Sequence, residues 1–239
     1  MKEIKPYKNS EDKKYQIIKM FDNIAATYDL LNGMLSFKMD YIWRKTTIKN
    51  ITNNPKKILD IATGTADLAI MAAKYTNAKI TAIDISKNML QIGNEKIKKH
   101  KFSKRIKLQL ADAEQLPFDN NSFQAITAGF GVRNFENRDQ GLSEMYRVLS
   151  SNGLILILEP SKPSTFPIKQ IYNLYFSYIL PLIGKIISKD KDAYEYLNQS
   201  VNHFPSQRTF LKKLNKIGFK ECKHIPLTLG IVSLYIAKK

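Results

Sequence analysis

The chain has 239 residues with 44% apolar and 25% charged side chains, which suits one folded domain and excludes bulk disorder. A single cysteine, Cys222, excludes an internal disulfide framework, and three scattered histidines give no basis for a metal site built on His and Cys. Thirty-eight basic residues against 21 acidic give a net charge of +17, yet only six are arginine, the side chain that reads phosphate and base edges best. The charge therefore reads as a lysine-rich composition, and its densest stretch, Lys96 to Lys107, as a solvated helix face and loop.

No apolar run at the N-terminus resembles a signal peptide and no window is long enough for a membrane span, so a cytoplasmic protein is expected. The chain begins with a helical pattern through Ile17, Ile18, Met20, Phe21 and Ile24, continuing to Tyr28-Asp29-Leu30-Leu31-Asn32. The first strand is Ile58-Leu59-Asp60-Ile61, followed by a Thr/Gly loop and a helix from Asp67 to Tyr75. Lys79 to Asp84 forms a second strand, and Met89, Leu90, Ile92 and Ile97 mark the next helix. Ile106 to Leu110 alternates with period two, Phe123 to Ala128 and Gly153 to Leu158 are further strands, and a helix runs through Leu142, Met145, Tyr146 and Leu149 between them. Such alternation predicts right-handed crossovers and a parallel sheet covered on both faces. After a helix through Phe210, Leu211 and Leu214, the runs Phe219 to Ile225 and Ile231 to Ile236 are joined too closely for a crossover, so they pair antiparallel. An apolar segment from Phe166 to Tyr196, broken by Pro181 and Gly184, stands outside the alternation.

Ligands of open α/β sheets bind beyond the carboxyl ends of the strands. Here those ends are acidic: Asp60 closes the first strand, Asp67 opens its helix, Asp84 ends the second strand and Asp112 follows the third. The loop Ala62-Thr63-Gly64-Thr65-Ala66-Asp67 holds one glycine, so the G-x-G-x-x-G dinucleotide fingerprint is absent. Carboxylates repel a pyrophosphate but tolerate or favour S-adenosylmethionine, which carries a sulfonium and an α-ammonium and no phosphate. One such Asp reads equally well as a helix or turn cap; four at successive strand ends point to a cofactor site that includes Asp60 and Gly64.

Ile58-Leu59-Asp60-Ile61-Ala62-Thr63-Gly64-Thr65-Ala66-Asp67-Leu68 resembles the first motif of class I methyltransferases, and Ala111-Asp112-Ala113-Glu114-Gln115-Leu116-Pro117-Phe118 resembles their third-strand motif. Met20 to Ala25 with Tyr28 to Asn32, Gly129-Phe130-Gly131-Val132-Arg133-Asn134, and Leu158-Glu159-Pro160-Ser161-Lys162-Pro163 resemble the quinone-biosynthesis C-methyltransferases. The likeness extends over nearly the whole chain. It implies an α/β, Rossmann-like fold with a seven-stranded, mostly parallel sheet, one antiparallel strand and helices on both faces. It also implies S-adenosyl-L-methionine held by Thr65, Asp84 at the ribose, and Asp112 with Ala113 near the adenine. Three positions depart from the family pattern: Ala66 stands where many members have glycine, Gln124 where an acid is usual, and Gly129 where some have a serine.

The implied reaction moves a methyl group from the sulfonium to a ring carbon of demethylmenaquinol, with the hydroquinone as its own nucleophile. The corresponding ubiquinone precursor, a 2-methoxy-6-polyprenyl-1,4-benzoquinol, is the alternative acceptor. Arg133 is the expected catalytic residue, holding a water or a phenolate rather than acting as a base, against the alternative of a structural salt bridge to Asp29 or Glu159. Tyr28, Phe130 and Asn134 are the expected substrate-binding residues. Four segments follow: a helical cap at 1–50, a cofactor-binding core at 51–165, an apolar helical insertion at 166–204, and a helix with an antiparallel strand pair at 205–239. The insertion, with Phe166, Ile168, Ile171, Leu174 and residues to Ile186 among flanking lysines, suits an isoprenoid tail, a lid, a homodimer interface or peripheral contact at the inner face of a membrane. An RNA methyltransferase is the competing class. Against it, the Asn/Asp-Pro-Pro-Tyr-type motif is missing after the fourth strand, and Cys222 lies on a late strand far from the site loops.

Overall fold

The computed structural model describes residues 4–7, 9–163, 165–174 and 191–239. Two helices, α1 (Lys13–Leu35) and α2 (Met39–Lys49), precede β1 (Lys57–Ile61). Then α3 (Asp67–Tyr75), β2 (Lys79–Asp84), α4 (Lys87–Lys99), β3 (Ile106–Leu110), β4 (Phe123–Gly129), α5 (Arg138–Val148) and β5 (Leu149–Pro160) alternate. The chain continues through α6 (Ile168–Leu174), α7 (Lys191–His203), α8 (Gln207–Ile217), β6 (Lys220–Leu227) and β7 (Val232–Lys238).

The seven strands lie in the order β3-β2-β1-β4-β5-β7-β6. β1 pairs parallel with β2 and β4, and β7 runs antiparallel to both β5 and β6, making it the one reversed strand. The expected fold and its antiparallel end are thus what forms. β1 is central and buried on both faces, which is why its sequence reads as a continuous apolar run.

Alternate residues of the central strands serve two cores. Ile58, Ile80, Ala82 and Ala125 meet Ile48 of α2, α3 and Ile97 of α4, whereas Leu59, Ile61, Ile83 and Ile126 meet Leu142 and Met145 of α5 and Phe210 and Leu214 of α8. Ala69, Ala72 and Ala73 make α3 a small-faced helix that lies close on the sheet. Side-chain caps start the helices: Ser86 Oγ accepts from Met89 N at 3.1 Å for α4, and Asn137 Oδ1 accepts from Gln140 N at 3.1 Å for α5.

The basic stretch Lys96 to Lys107 differs from its sequence reading at two positions. Lys98, Lys99, Lys101 and Lys104 are exposed, but Lys96 is half-buried among carboxylates and Arg105 donates to the carbonyls of Ala73, Thr76 and Ala78. The apolar segment is described only at α6 and α7, and the expectations for Tyr175 to Lys189 lie outside the described residues. No helix among the described residues is long and apolar enough to cross a membrane.

Candidate active site

The first loop is a wound turn braced from below. Asp60, fully buried, accepts from Thr63 Oγ1 and from Thr127 Oγ1 of β4, both at 2.6 Å. Burial pushes its carboxyl up to about 6, against the two hydroxyl donors. Thr63 N bonds Ile83 O of β2, and Gly64 N donates to Asp84 Oδ2 at 2.8 Å. Ala62, Gly64 and Ala66 all have positive φ, at 52°, 55° and 66°, so the turn stores backbone strain that its bonds to β2 and β4 maintain.

A cleft opens above this turn at the ends of β1 to β4. Gly64, Asp84, Asp112, Ala113, Gly129, Phe130, Gly131 and Asn134 line it from the core, and Lys14, Ile17, Phe21 and Tyr28 from α1. Asp60 and Thr65 do not line the cleft. Asp60 stands beneath the turn, while Thr65 Oγ1 turns toward α1 and donates to Asp29 Oδ1 at 2.6 Å. Asp84 accepts Ser86 N as well as Gly64 N, and its carboxyl is raised by burial against those donors. Gly131 is required by close approach, since a Cβ there would stand 2.4 Å from Ala62 Cβ. At Gly129, a Cβ would meet Leu68 Cδ2 at 3.1 Å, so a serine there needs that side-chain tip to yield.

The helical cap is clipped to the core by polar residues of α1. Lys14 Nζ donates to Asp112 Oδ2 at 2.7 Å and lies 3.2 Å from Glu114 Oε2. Burial alone would lower the Lys14 ammonium, but these carboxylates outweigh it and raise it. Asp22 accepts from Ser86 Oγ at 2.6 Å, and Asp29 binds Lys96 Nζ at 2.7 Å; Lys96 also pairs with Asp67. Arg44 of α2, buried, pairs with Asp40, reaches Asp67 at 3.7 Å and stacks over the Phe130 ring at 5.7 Å. Sequence patterning assigns no role to Lys14 and Arg44, and it counts Lys96 with a solvated face. Lys14, Asp22 and Asp29 recur at spacings of eight and seven residues, one stripe of a helix, and that was the available signal.

Beyond the cleft lies a second cavity of about 480 Å³ between α1, α2, α6, α7 and the turn Thr228–Gly230. Its wall is mainly apolar, with Asn32, Ser36, Asp40, Arg44, Arg133 and Asn134 among its polar points. Phe21, Tyr28, Phe130 and Asn134 line both spaces and form the partition between them. Burial raises the Tyr28 hydroxyl, opposed by the Asn32 side chain and by the charges of Arg133 and Arg44. Arg133, in the short turn Val132–Asn134, faces the second cavity alone. It pairs with Glu159, not Asp29, and donates to Phe130 O. Its buried Nε and the buried Oδ1 of Asn134 have no hydrogen-bond partner among the described residues. Two polar atoms held dry at a cavity wall suit a ligand that satisfies them.

The chain residues 8–239 match the model of the ubiE/COQ5 methyltransferase family. The demethylmenaquinone methyltransferase of Bacteroides fragilis is 43% identical over 99% of this chain and 97% of its own length. The ubiquinone/menaquinone biosynthesis C-methyltransferase UbiE of Geotalea daltonii is 44% identical over 95% and 98%. Among solved structures, a Methanococcus maripaludis protein assigned to the S-adenosylmethionine-dependent methyltransferases superposes with a TM-score of 0.67 at 23% identity, covering 97% of each chain. A methyltransferase of Aquifex aeolicus gives 0.60 at 15% identity over 82% of this chain and 88% of that one. These structural likenesses speak to the fold.

Proposed function

The chain belongs to the ubiE/COQ5 methyltransferase family and is an S-adenosylmethionine-dependent C-methyltransferase; from that premise we propose that it methylates the ring carbon of demethylmenaquinol. The observation that carries this reading is the pair of spaces with one shared wall, a carboxylate-lined cleft at the strand ends and a largely apolar cavity beyond Tyr28, Phe130 and Asn134. Asp84 and Asp112 suit the hydroxyls and amino groups of an adenosine, and the bare backbone at Gly64, where the nearest atom to a Cβ would be Tyr28 Cε1 at 3.9 Å, leaves room beside the loop. S-Adenosylmethionine, when bound, supplies a methyl group on a sulfonium.

The protein's own contribution is placement and dryness. The apolar wall receives the acceptor ring and the first units of its isoprenoid tail, with its reacting carbon against the partition. Holding two reactants in line lowers a barrier by about 7–11 kcal/mol in favourable cases. Arg133 Nε would donate to a hydroquinone oxygen or the water beside it and stabilise the negative charge that develops as its proton leaves, while Asn134 Oδ1 would accept an O–H from the acceptor or that water. Arg133 remains protonated throughout, so it orients and stabilises rather than accepting the proton. Asp60 and Thr65 act through the loop, one bracing it and the other tying it to Asp29. In this division of labour, residues 1–50 cap the site, 51–165 bind the cofactor, 166–204 cover the acceptor and 205–239 complete the sheet. The partner is a polyprenyl hydroquinone met at the inner face of a membrane, with a homodimer as a further arrangement.

The test is methyl transfer from labelled S-adenosylmethionine by the purified protein, with reduced demethylmenaquinol, a reduced 2-methoxy-6-polyprenyl-benzoquinol and total RNA as parallel acceptors. Label in the naphthoquinol alone is expected. Label in both quinols makes the enzyme dual, and label in RNA with neither quinol touched overturns the reading.

A further inference from the structure

Phe130 stands on the partition in a conformation that its residue type resists. Its φ is 61°, in the left-handed region that a bulky side chain rarely adopts. Both of its backbone groups are held there: its N–H donates to Leu158 O at 2.7 Å, and its carbonyl accepts from Arg133 Nη1. With the backbone fixed at both atoms, the ring is set on the wall that the cleft and the cavity share. Strain maintained between two ligand spaces points to a ring whose place matters to what binds there.

Two consecutive residues of α2 hold that ring. Trp43 meets it in an edge-to-face contact, with 6.2 Å between centroids and 66° between planes. Its Nε1 donates to Thr228 Oγ1 at 2.7 Å, which fixes the indole in turn. The Arg44 guanidinium stands over the same Phe130 ring at 5.7 Å. Arg44 is buried and its edge is occupied: Nη1 pairs with Asp40, and Nη2 lies 3.7 Å from Asp67 Oδ2. Asp67 opens α3 directly after the cofactor turn. One guanidinium therefore joins the helical cap, the cofactor turn and the partition. It gives its edge to carboxylates and its face to a ring, a division that a lysine ammonium cannot make.

Ion pairing alone does not account for Arg44. Asp40 also accepts from Ser36 Oγ at 2.7 Å, and Asp67 also pairs with Lys96, so each carboxylate has a second partner. Arg44 lines the acceptor cavity but not the cofactor cleft, and the wall it touches between them is Phe130. We propose that Arg44 is a positioning residue for methyl transfer: with Trp43 it clamps the Phe130 ring, which holds the acceptor ring in line with the methyl donor. A misplacement of about 1 Å at such a wall can cost about a hundredfold in rate. The proposal rests on the acceptor and reaction proposed above.

The experiment is a double-mutant cycle on kcat with reduced demethylmenaquinol, built from Arg44→Lys and Phe130→Leu. Arg44→Lys keeps a cation beside Asp40 and removes the planar face; Phe130→Leu keeps an apolar side chain and removes the ring. Rates are counted per site that binds S-adenosylhomocysteine, so an unfolded fraction does not enter. Each single variant should lower kcat about tenfold, with KM for the quinol within about threefold and S-adenosylhomocysteine affinity within about twofold. Without the ring the clamp has nothing to hold, so the double variant should lose about ten- to thirtyfold rather than the hundredfold product of independent effects. Trp43→Leu removes the other arm and should show the same non-additivity with Phe130→Leu; it takes the place of Arg44→Lys should that variant not fold. A double variant that loses more than about thirtyfold, or Arg44→Lys with unchanged kcat, would overturn the proposal. Wild type that labels neither quinol overturns the acceptor reading and this proposal with it, whereas an active wild type whose variants multiply overturns this proposal alone.

Discussion

Arg133 Nη1 lies 3.1 Å from Glu159 Oε2; both side chains are withdrawn from water, and Arg133 lines the second cavity. Glu159 also accepts the backbone N–H of Arg133 at 3.2 Å, so the carboxylate fixes both the turn and the guanidinium it presents. Burial raises the Glu159 carboxyl and the Arg133 charge opposes that rise. One side of the guanidinium is thereby spent on structure, and Nε is left without a partner among the described residues.

Separate substitutions divide the two roles. Glu159→Ala strands a buried guanidinium and should cost about 3–5 kcal/mol of stability, read as a lowered melting midpoint. Arg133→Lys keeps a cation for Glu159 but has no Nε. It should lower kcat by about 10- to 100-fold with a small change in KM for the quinol. A variant Arg133→Lys with unchanged kcat would reduce Arg133 to a structural ion pair.

Asp60 sets a pH dependence of stability. Its carboxyl moves from an ordinary 3.8 to about 6 in the fold, so the folded chain holds that proton more tightly than the unfolded chain. The stabilisation is complete below about pH 4 and is lost as pH rises through about 6, a change of about 3 kcal/mol. Asp60→Asn keeps a hydrogen-bonding group for Thr63 and Thr127 without the charge. Its stability relative to wild type should therefore climb between pH 4 and 7 in urea titrations. A constant difference across that range would refute the assignment. Asp84 and Glu159, also raised by burial, stay the same in both proteins and cancel.

The succession of strands and helices along the chain, the antiparallel pairing of the last two strands and the acidic strand ends were legible because each is written in a local pattern. The division of labour among those acids was not. Asp60 and Asp84 both end strands, yet the partner that buries Asp60, Thr127, comes from β4, 67 residues away. Thr65 likewise reads as a loop ligand until α1 is folded over it and Asp29 takes its hydroxyl. Lys14 and Lys96 were lost in a lysine-rich background, where composition hides the few ammonium groups that meet carboxylates. The αL geometry of Ala62 and Phe130 left no mark either, since neither residue type announces a positive φ.

Lys14 is the clip whose loss should be felt by the cofactor rather than by the fold. It is one-third exposed, and a pair of that kind contributes about 0.2–1 kcal/mol to stability. Its place over Asp112 and Glu114 nevertheless closes α1 onto the cleft. Lys14→Met should raise KM for S-adenosylmethionine about three- to tenfold, with faster cofactor release in stopped-flow and kcat within a factor of two. Unchanged or tighter cofactor binding would show that Lys14 does not hold the cap.

Ala66 and Gly93 are paired across the loop and α4. Ala66 is fully buried at φ 66°, and a Cβ on Gly93 would stand 3.2 Å from both Ala66 Cβ and the Thr65 carbonyl carbon. Helix propensity alone favours Gly93→Ala by about 1 kcal/mol. Overpacking against the loop costs about 1–3 kcal/mol, so the single variant should be destabilised. Ala66→Gly relieves about 1–2 kcal/mol of left-handed strain but gives up a buried methyl worth about 0.8 kcal/mol, leaving a net change within about 1 kcal/mol. Removing that methyl also removes one of the two contacts that Gly93→Ala offends. The double variant should therefore be more stable than the sum of the singles by about 1 kcal/mol, measured as a double-mutant cycle in urea. Strict additivity would mean that the Thr65 backbone alone, and not the Ala66 methyl, dictates the glycine in α4.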